Sequence, residues 1–105
     1  MNTQRLALLN QYLEETPDDP FTIYAIANEY LGFDDQKALE YFELLIESHP
    51  DYTATYYHLA NLYRDLGQTE KARLTYETGM EKALKSHDAL AHRELKNAYD
   101  EFMMD

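Results

Sequence analysis

The feature that most constrains this chain is an internal echo. Ile23, Ile26, Ala27 and Tyr30 are answered in the second half of the chain by Tyr56, Leu59, Ala60 and Tyr63 at the same spacing. The pair Pro17-Asp18 returns at the same offset as Pro50-Asp51. Ala38 and Phe42 are answered by Ala72 and Tyr76, at an offset one residue greater. The offset grows because the turn after Tyr30 is one residue shorter than the turn after Tyr63. Self-similarity at a fixed period of this length marks a supersecondary unit that hides its apolar face only against a neighbouring copy.

Each unit reads as helical. Leu6, Leu9 and Leu13 share one helix face, as do Leu39, Phe42, Leu45 and Ile46. Ala72, Tyr76, Gly79 and Ala83 form another stripe, and Leu95, Ala98, Tyr99 and Phe102 form the last. No run of alternating β-branched residues suggests a strand. Pro17, Pro20, Pro50, Gly32 and Gly67 fall between the stripes, where helices stop and start. Gly79 lies inside a stripe, where glycine costs ~1 kcal/mol relative to alanine, so a close approach of another helix is expected there. Asp88 suits the N-cap of the last helix. The expected fold is all-α: about six helices in antiparallel pairs.

Composition narrows the function. The 105 residues carry a net charge of −11, a field that repels a phosphate backbone, so nucleic acid is not an expected partner. Residues 1–52 hold 11 acids and 2 bases, and residues 53–105 hold 9 acids and 7 bases. There is no cysteine, which excludes thiolate chemistry and suits a reducing compartment. No apolar run approaches the ~20 residues of a membrane-spanning helix, and the first residues lack the pattern of a secretion signal. A cytoplasmic protein without membrane contact is the expectation.

The repeated residues resemble the tetratricopeptide repeat (TPR), a helix pair with a large residue, leucine, a small residue and tyrosine on helix A, and alanine, an aromatic and a small residue on helix B. The resemblance implies a right-handed α-solenoid. It divides a single domain, residues 1–105, into a half-repeat helix (1–19), repeat one (20–52), repeat two (53–86) and a closing helix (87–105). Repeat two has Leu84 where the family often has proline, so its helix B is expected to run on toward Ser86. Arg5 stands where alanine is usual, which suits a first helix with no helix before it. Arg93 and Glu94 stand where a third repeat wants leucine and a small residue.

The same resemblance implies that helix A lines a concave face. The corresponding residues are Phe21, Tyr24, Asn28 and Leu31 in repeat one, and Ala54, Tyr57, Asn61 and Arg64 in repeat two. Tyr24/Tyr57 and Asn28/Asn61 recur without being demanded by the helix-packing pattern. Asparagine offers both donors and an acceptor to a peptide backbone, and tyrosine offers a flat apolar face with a polar tip. The candidate peptide-binding set is therefore Phe21, Tyr24, Asn28, Leu31, Tyr57, Asn61 and Arg64. Some family members clamp a terminal carboxylate with cations near the start of helix A. Phe21, Ala25, Ala54 and His58 occupy those places here, and Arg64 alone is basic, so a hydrophobic or basic segment is the favoured ligand.

No catalytic constellation, metal site or cofactor motif emerges. The four histidines are dispersed, and Asp88 with His92 reads more simply as a cap and a polar neighbour. Asp34-Asp35 reads as a turn leading into a helix. Two readings of function follow. One is a non-catalytic scaffold that binds a protein or peptide segment. The other is a structural homo-oligomer, such as a homodimer, joined through terminal helices, with the apolar Phe102-Met103-Met104 tail either sealing the last helix pair or docking on a second copy.

Overall fold

A computed structural model describes residues 1–104. Among them are six helices and no strand: α1 Thr3–Glu15, α2 Pro20–Tyr30, α3 Asp35–Ser48, α4 Ala54–Asp65, α5 Thr69–Lys85 and α6 Ala89–Met104. None is long and apolar enough to cross a membrane. The chain divides into two compact units, Met1–Tyr52 and a second from Thr53 onward.

In the first unit α2 packs along α3, and α1 packs on α2. Asp19 starts α2 by accepting from the Thr22 backbone N–H at 3.0 Å, with Pro20 in the first turn, where its missing N–H costs nothing. Asp34 caps α3 through the Lys37 N–H, and Asp35 Oδ1 accepts from the Gly32 N–H, as expected for a turn entering a helix. Ile23, Ile26, Ala27, Ala38, Phe42 and Leu45 are at most 1% exposed and form the core of this unit. Helix α1 contains no buried residue. It is tied to α2 where Arg5 and the Asn2 backbone N–H both reach the Glu29 carboxylate at 3.1 Å. The unusual Arg5 thus spans to the neighbouring helix.

The second unit is a three-helix arrangement in which α6 packs against both α4 and α5. Lys71 stands over the Tyr63 ring, Tyr76 bonds Asn61, and Gly79 meets Tyr56. As one residue number falls the other rises, so α4 and α5 are antiparallel. Gly79 meets Leu95, and Tyr76 meets Tyr99 and Phe102, which sets α6 antiparallel to α5 and parallel to α4. Phe102 packs on the Tyr76 ring at 5.4 Å, whereas Met103 and Met104 are 55% and 86% exposed. The apolar tail therefore seals the unit with its first residue only.

The one-residue slip in the repeat has a visible cause. Asp34 N–H bonds the Tyr30 carbonyl four residues back, while Gln68 N–H bonds the equivalent Tyr63 carbonyl five residues back. The second turn closes as a Schellman motif, with Gly67 at φ +77° and its N–H on the Arg64 carbonyl. Helix α5 has 17 residues against 14 in α3, in line with the missing proline. It too ends in this motif, Asp88 N–H bonding Ala83 O, but the left-handed residue is His87 at φ +59°. Asp88 then caps α6 through the Ala91 N–H at 3.0 Å.

Candidate functional site

The seven candidate residues divide between the two units. In the first unit Phe21 stands 64% exposed in the first turn of α2. Tyr24 is half-buried, and its ring lies edge-on to Phe42 at 6.4 Å and tilted against Tyr52 at 5.7 Å. The expectation that Tyr24 is free of helix packing is therefore corrected: it joins α2 to α3 and to the turn beyond. Asn28 turns its amide back to the Tyr24 carbonyl at 3.2 Å. Leu31 lies one residue beyond α2, at φ −55° and ψ 126°, so it belongs to the turn and not to helix A.

In the second unit Tyr57, Asn61 and Arg64 follow one another up one face of α4. They form one wall of an open cleft of about 380 Å³. The other wall is α6, with Glu94, Asn97, Ala98 and Glu101. Sequence reasoning missed this wall because α6 does not echo the earlier helices. Its signal was the seven-residue spacing of Glu94 and Glu101, which puts both on one helix face with Asn97 and Ala98 between them.

The polar groups of the cleft are in different states. Tyr76 donates its hydroxyl to Asn61 Oδ1 from α5. Asn61 thus has a packing role as well: the bond engages its amide oxygen, and the Nδ2 donors are what the side chain has left to offer. Arg64 is held by the carboxylate of Asp65 at 3.2 Å. Burial works to lower its pKa, but Tyr76, Asp65 and Glu101 more than offset this and raise it, so Arg64 is a fixed cation. At the other end, burial pushes the His58 pKa down while Glu94 works against that shift. His58 also lies edge-on to Tyr57 at 5.4 Å. Among the described residues no group of three or more His, Asp or Glu side chains is placed to hold a metal ion.

Antiparallel helix pairs with small residues at their crossings, and a cleft beside the first helix of a pair, define an all-α helical-repeat protein. Residues 34–96 match the family model for the tetratricopeptide repeat, and the chain belongs to that family. It is similar to a tetratricopeptide repeat domain protein from Salinibacter ruber. The crystal structure of that protein is 43% identical over 81% of this chain and 96% of that one, with a TM-score of 0.77. Its solution structure gives 44% identity over 82% and 88%, also with a TM-score of 0.77. The Sgt2 TPR domain from Aspergillus fumigatus superposes over 97% of this chain and 66% of its own length, with a TM-score of 0.82. At 21% identity that likeness shows the fold alone. No curated protein matches the sequence. The TPR fold is generally a protein–protein interaction module.

Proposed function

We propose that this chain is a non-catalytic scaffold that binds a peptide or protein segment through the helix-A faces of its repeats, in the cytoplasm, the compartment its cysteine-free sequence suits. The residues assigned to this role are Phe21, Tyr24, Asn28 and Leu31 in the first unit and Tyr57, Asn61 and Arg64 in the second. One observation carries the reading: the three residues chosen by repeat position in the second unit line a single cleft together. That cleft presents an aromatic ring, amide donors and charges of both signs, the mixture that holds a peptide by its backbone and one or two side chains. A hydrophobic or basic segment remains the favoured ligand, given the net charge of −11.

The test is selection of peptides from a displayed random library on the full chain, followed by binding to Tyr57→Ala and Arg64→Ala variants. Binding is expected to fall at least about tenfold in each, the scale of a lost interface anchor, with the helical circular dichroism unchanged. Selected peptides that bind both variants as tightly as the wild type would refute the assignment.

A second reading has its own support. Helix α1 buries none of its residues, and Leu8 and Tyr12 each stand 48% exposed on it. Such a helix suits self-association into a homodimer. Light scattering at increasing concentration separates the two: a monomer throughout removes the homo-oligomer.

A further inference from the structure

The geometry points to a basic side chain, lysine or arginine, as the anchor of the bound segment, seated at the Tyr57/Glu94 end of the cleft between α4 and α6. This rests on the peptide-binding reading of the same cleft and specifies its ligand.

The groups along the cleft follow a fixed order. Helices α4 and α6 run parallel, so their residues pair level by level. Leu95 and Tyr56 both meet Gly79, and Asn61 and Tyr99 both meet Tyr76. Tyr57 and Glu94 therefore lie toward one end of the cleft, Asn61, Asn97 and Ala98 in its middle, and Arg64 and Glu101 at the other. The electrostatics agree, since Glu94 acts on His58 and Glu101 on Arg64.

The two ends are not alike. At the Arg64 end the cation already faces Asp65 and Glu101, so that end is compensated. Among the described residues that line the cleft, Arg64 is the one cation, and it stands at the end away from Glu94. His58, the basic group that senses Glu94, is held toward its neutral form by burial. A carboxylate beside a tyrosine ring is a receptor for a cation: the acid takes the charge and the ring takes the stem or the face of the charged group. In the middle, Ala98 is small and 9% exposed, so it leaves a floor without bulk. Asn61 lines the same stretch, and with its Oδ1 engaged by Tyr76 its amide has the Nδ2 donors to offer a backbone carbonyl.

Length limits the ligand further. Seven helical residues rise ~10 Å, which an extended strand crosses in about three residues. The cleft is filled by a short extended run with the basic residue first encountered at Tyr57 and a small or polar residue over Ala98.

The experiment is a nuclear magnetic resonance titration of the full chain with three capped peptides: acetyl-Arg-Ala-Ala-amide, its citrulline counterpart, which keeps shape but lacks charge, and acetyl-Glu-Ala-Ala-amide. The arginine peptide is expected to shift the signals of Tyr57, Asn61, Glu94 and Asn97. It should bind about tenfold more tightly than the citrulline peptide, the scale of one charge-assisted contact. Glu94→Gln should abolish that difference. Glu81→Gln, an exposed acid on α5 paired with Lys85, should leave it intact. The cation assignment is overturned if arginine and citrulline bind alike, if the glutamate peptide binds as well as either, if Glu81→Gln weakens binding as much as Glu94→Gln, or if no peptide shifts the cleft. If arginine and citrulline bind alike with shifts confined to this cleft, the cation assignment fails while the groove reading stands. Shifts only outside the helix-A faces would count against both.

Discussion

The α-carbon of Gly79 approaches Tyr56 so closely that a methyl group on it would lie 2.5 Å from the Tyr56 Cβ and 3.1 Å from Leu95 Cδ1. Helices α4, α5 and α6 are gathered around this point. A glycine that weakens its own helix stands where three helices meet.

Gly79→Ala is expected to destabilise the chain although alanine is the better helix former. The gain in helix propensity is ~1 kcal/mol, and overpacking a filled core costs about 1–3 kcal/mol. The clash falls on a Cβ next to the backbone, which cannot swing aside, so the cost prevails. Urea denaturation should show a net loss of up to about 2 kcal/mol. A more stable variant would show that the helices do not approach this closely.

Two threonines at equivalent places in the two repeats give opposite predictions for one substitution. Thr22 donates its hydroxyl to the capping carboxylate of Asp19. Thr55 is 0% exposed, and its hydroxyl has no hydrogen-bond partner, because Tyr52 stands where the first repeat has Asp19. Thr22→Val should cost about 1 kcal/mol for the lost bond. Thr55→Val keeps the shape, removes an unsatisfied buried polar group and should stabilise by ~1 kcal/mol. Denaturation midpoints of the two variants, compared at equal slope, test the sign at each site.

His87 occupies a left-handed position, φ +59°, that its counterpart Gly67 fills with glycine. A side chain there strains the backbone by ~1–2 kcal/mol, part of which glycine gives back through the greater freedom of its unfolded chain. His87→Gly should raise stability by up to about 1 kcal/mol, a thermal shift of about 4–8 °C for a domain of this size. An unchanged or lower melting temperature would contradict the strain argument.

Acid should weaken the second unit through His58. Burial lowers the folded pKa of this imidazole below its ordinary 6.5, so below that value the unfolded chain binds the extra proton more readily. The stability contributed by neutral His58 is fully present above pH 6.5 and is lost as pH falls through the depressed folded value. His58→Gln should flatten the fall in stability on acidification from neutrality. Equal pH slopes in the variant and the wild type would remove His58 as the cause.

Much of the fold was legible in the sequence because packing imposes periodicity. Ala27, Ala38, Ala60 and Ala72 are all fully buried, as their repeated small size demanded, and the one-residue slip after Tyr30 appears as a shorter hydrogen-bonded turn. Gly79 and Asp88 also announced their roles, one by breaking a helix rule and one by obeying a capping rule. The binding surface was legible only by half. Tyr57, Asn61 and Arg64 follow from repeat position, but Glu94, Asn97 and Glu101 sit on a helix whose residues depart from the repeat pattern. Periodicity also says which face a side chain occupies and not what it touches. Tyr24 therefore read as free when it packs on Phe42 and Tyr52, and Asn61 read as free when it accepts from Tyr76. The tie between Arg5 and Glu29, which lie on different helices, had no pattern to betray it.

The most direct test of the cleft as the working surface is a residue-by-residue titration of the isotope-labelled full chain with one library-selected peptide. The largest shifts are expected to cluster at Tyr57, Asn61 and Arg64, together with Glu94 and Asn97 across the cleft, while Leu8 and Tyr12 on α1 stay still. Shifts centred on α1, with the α4 and α6 walls unmoved, would contradict it.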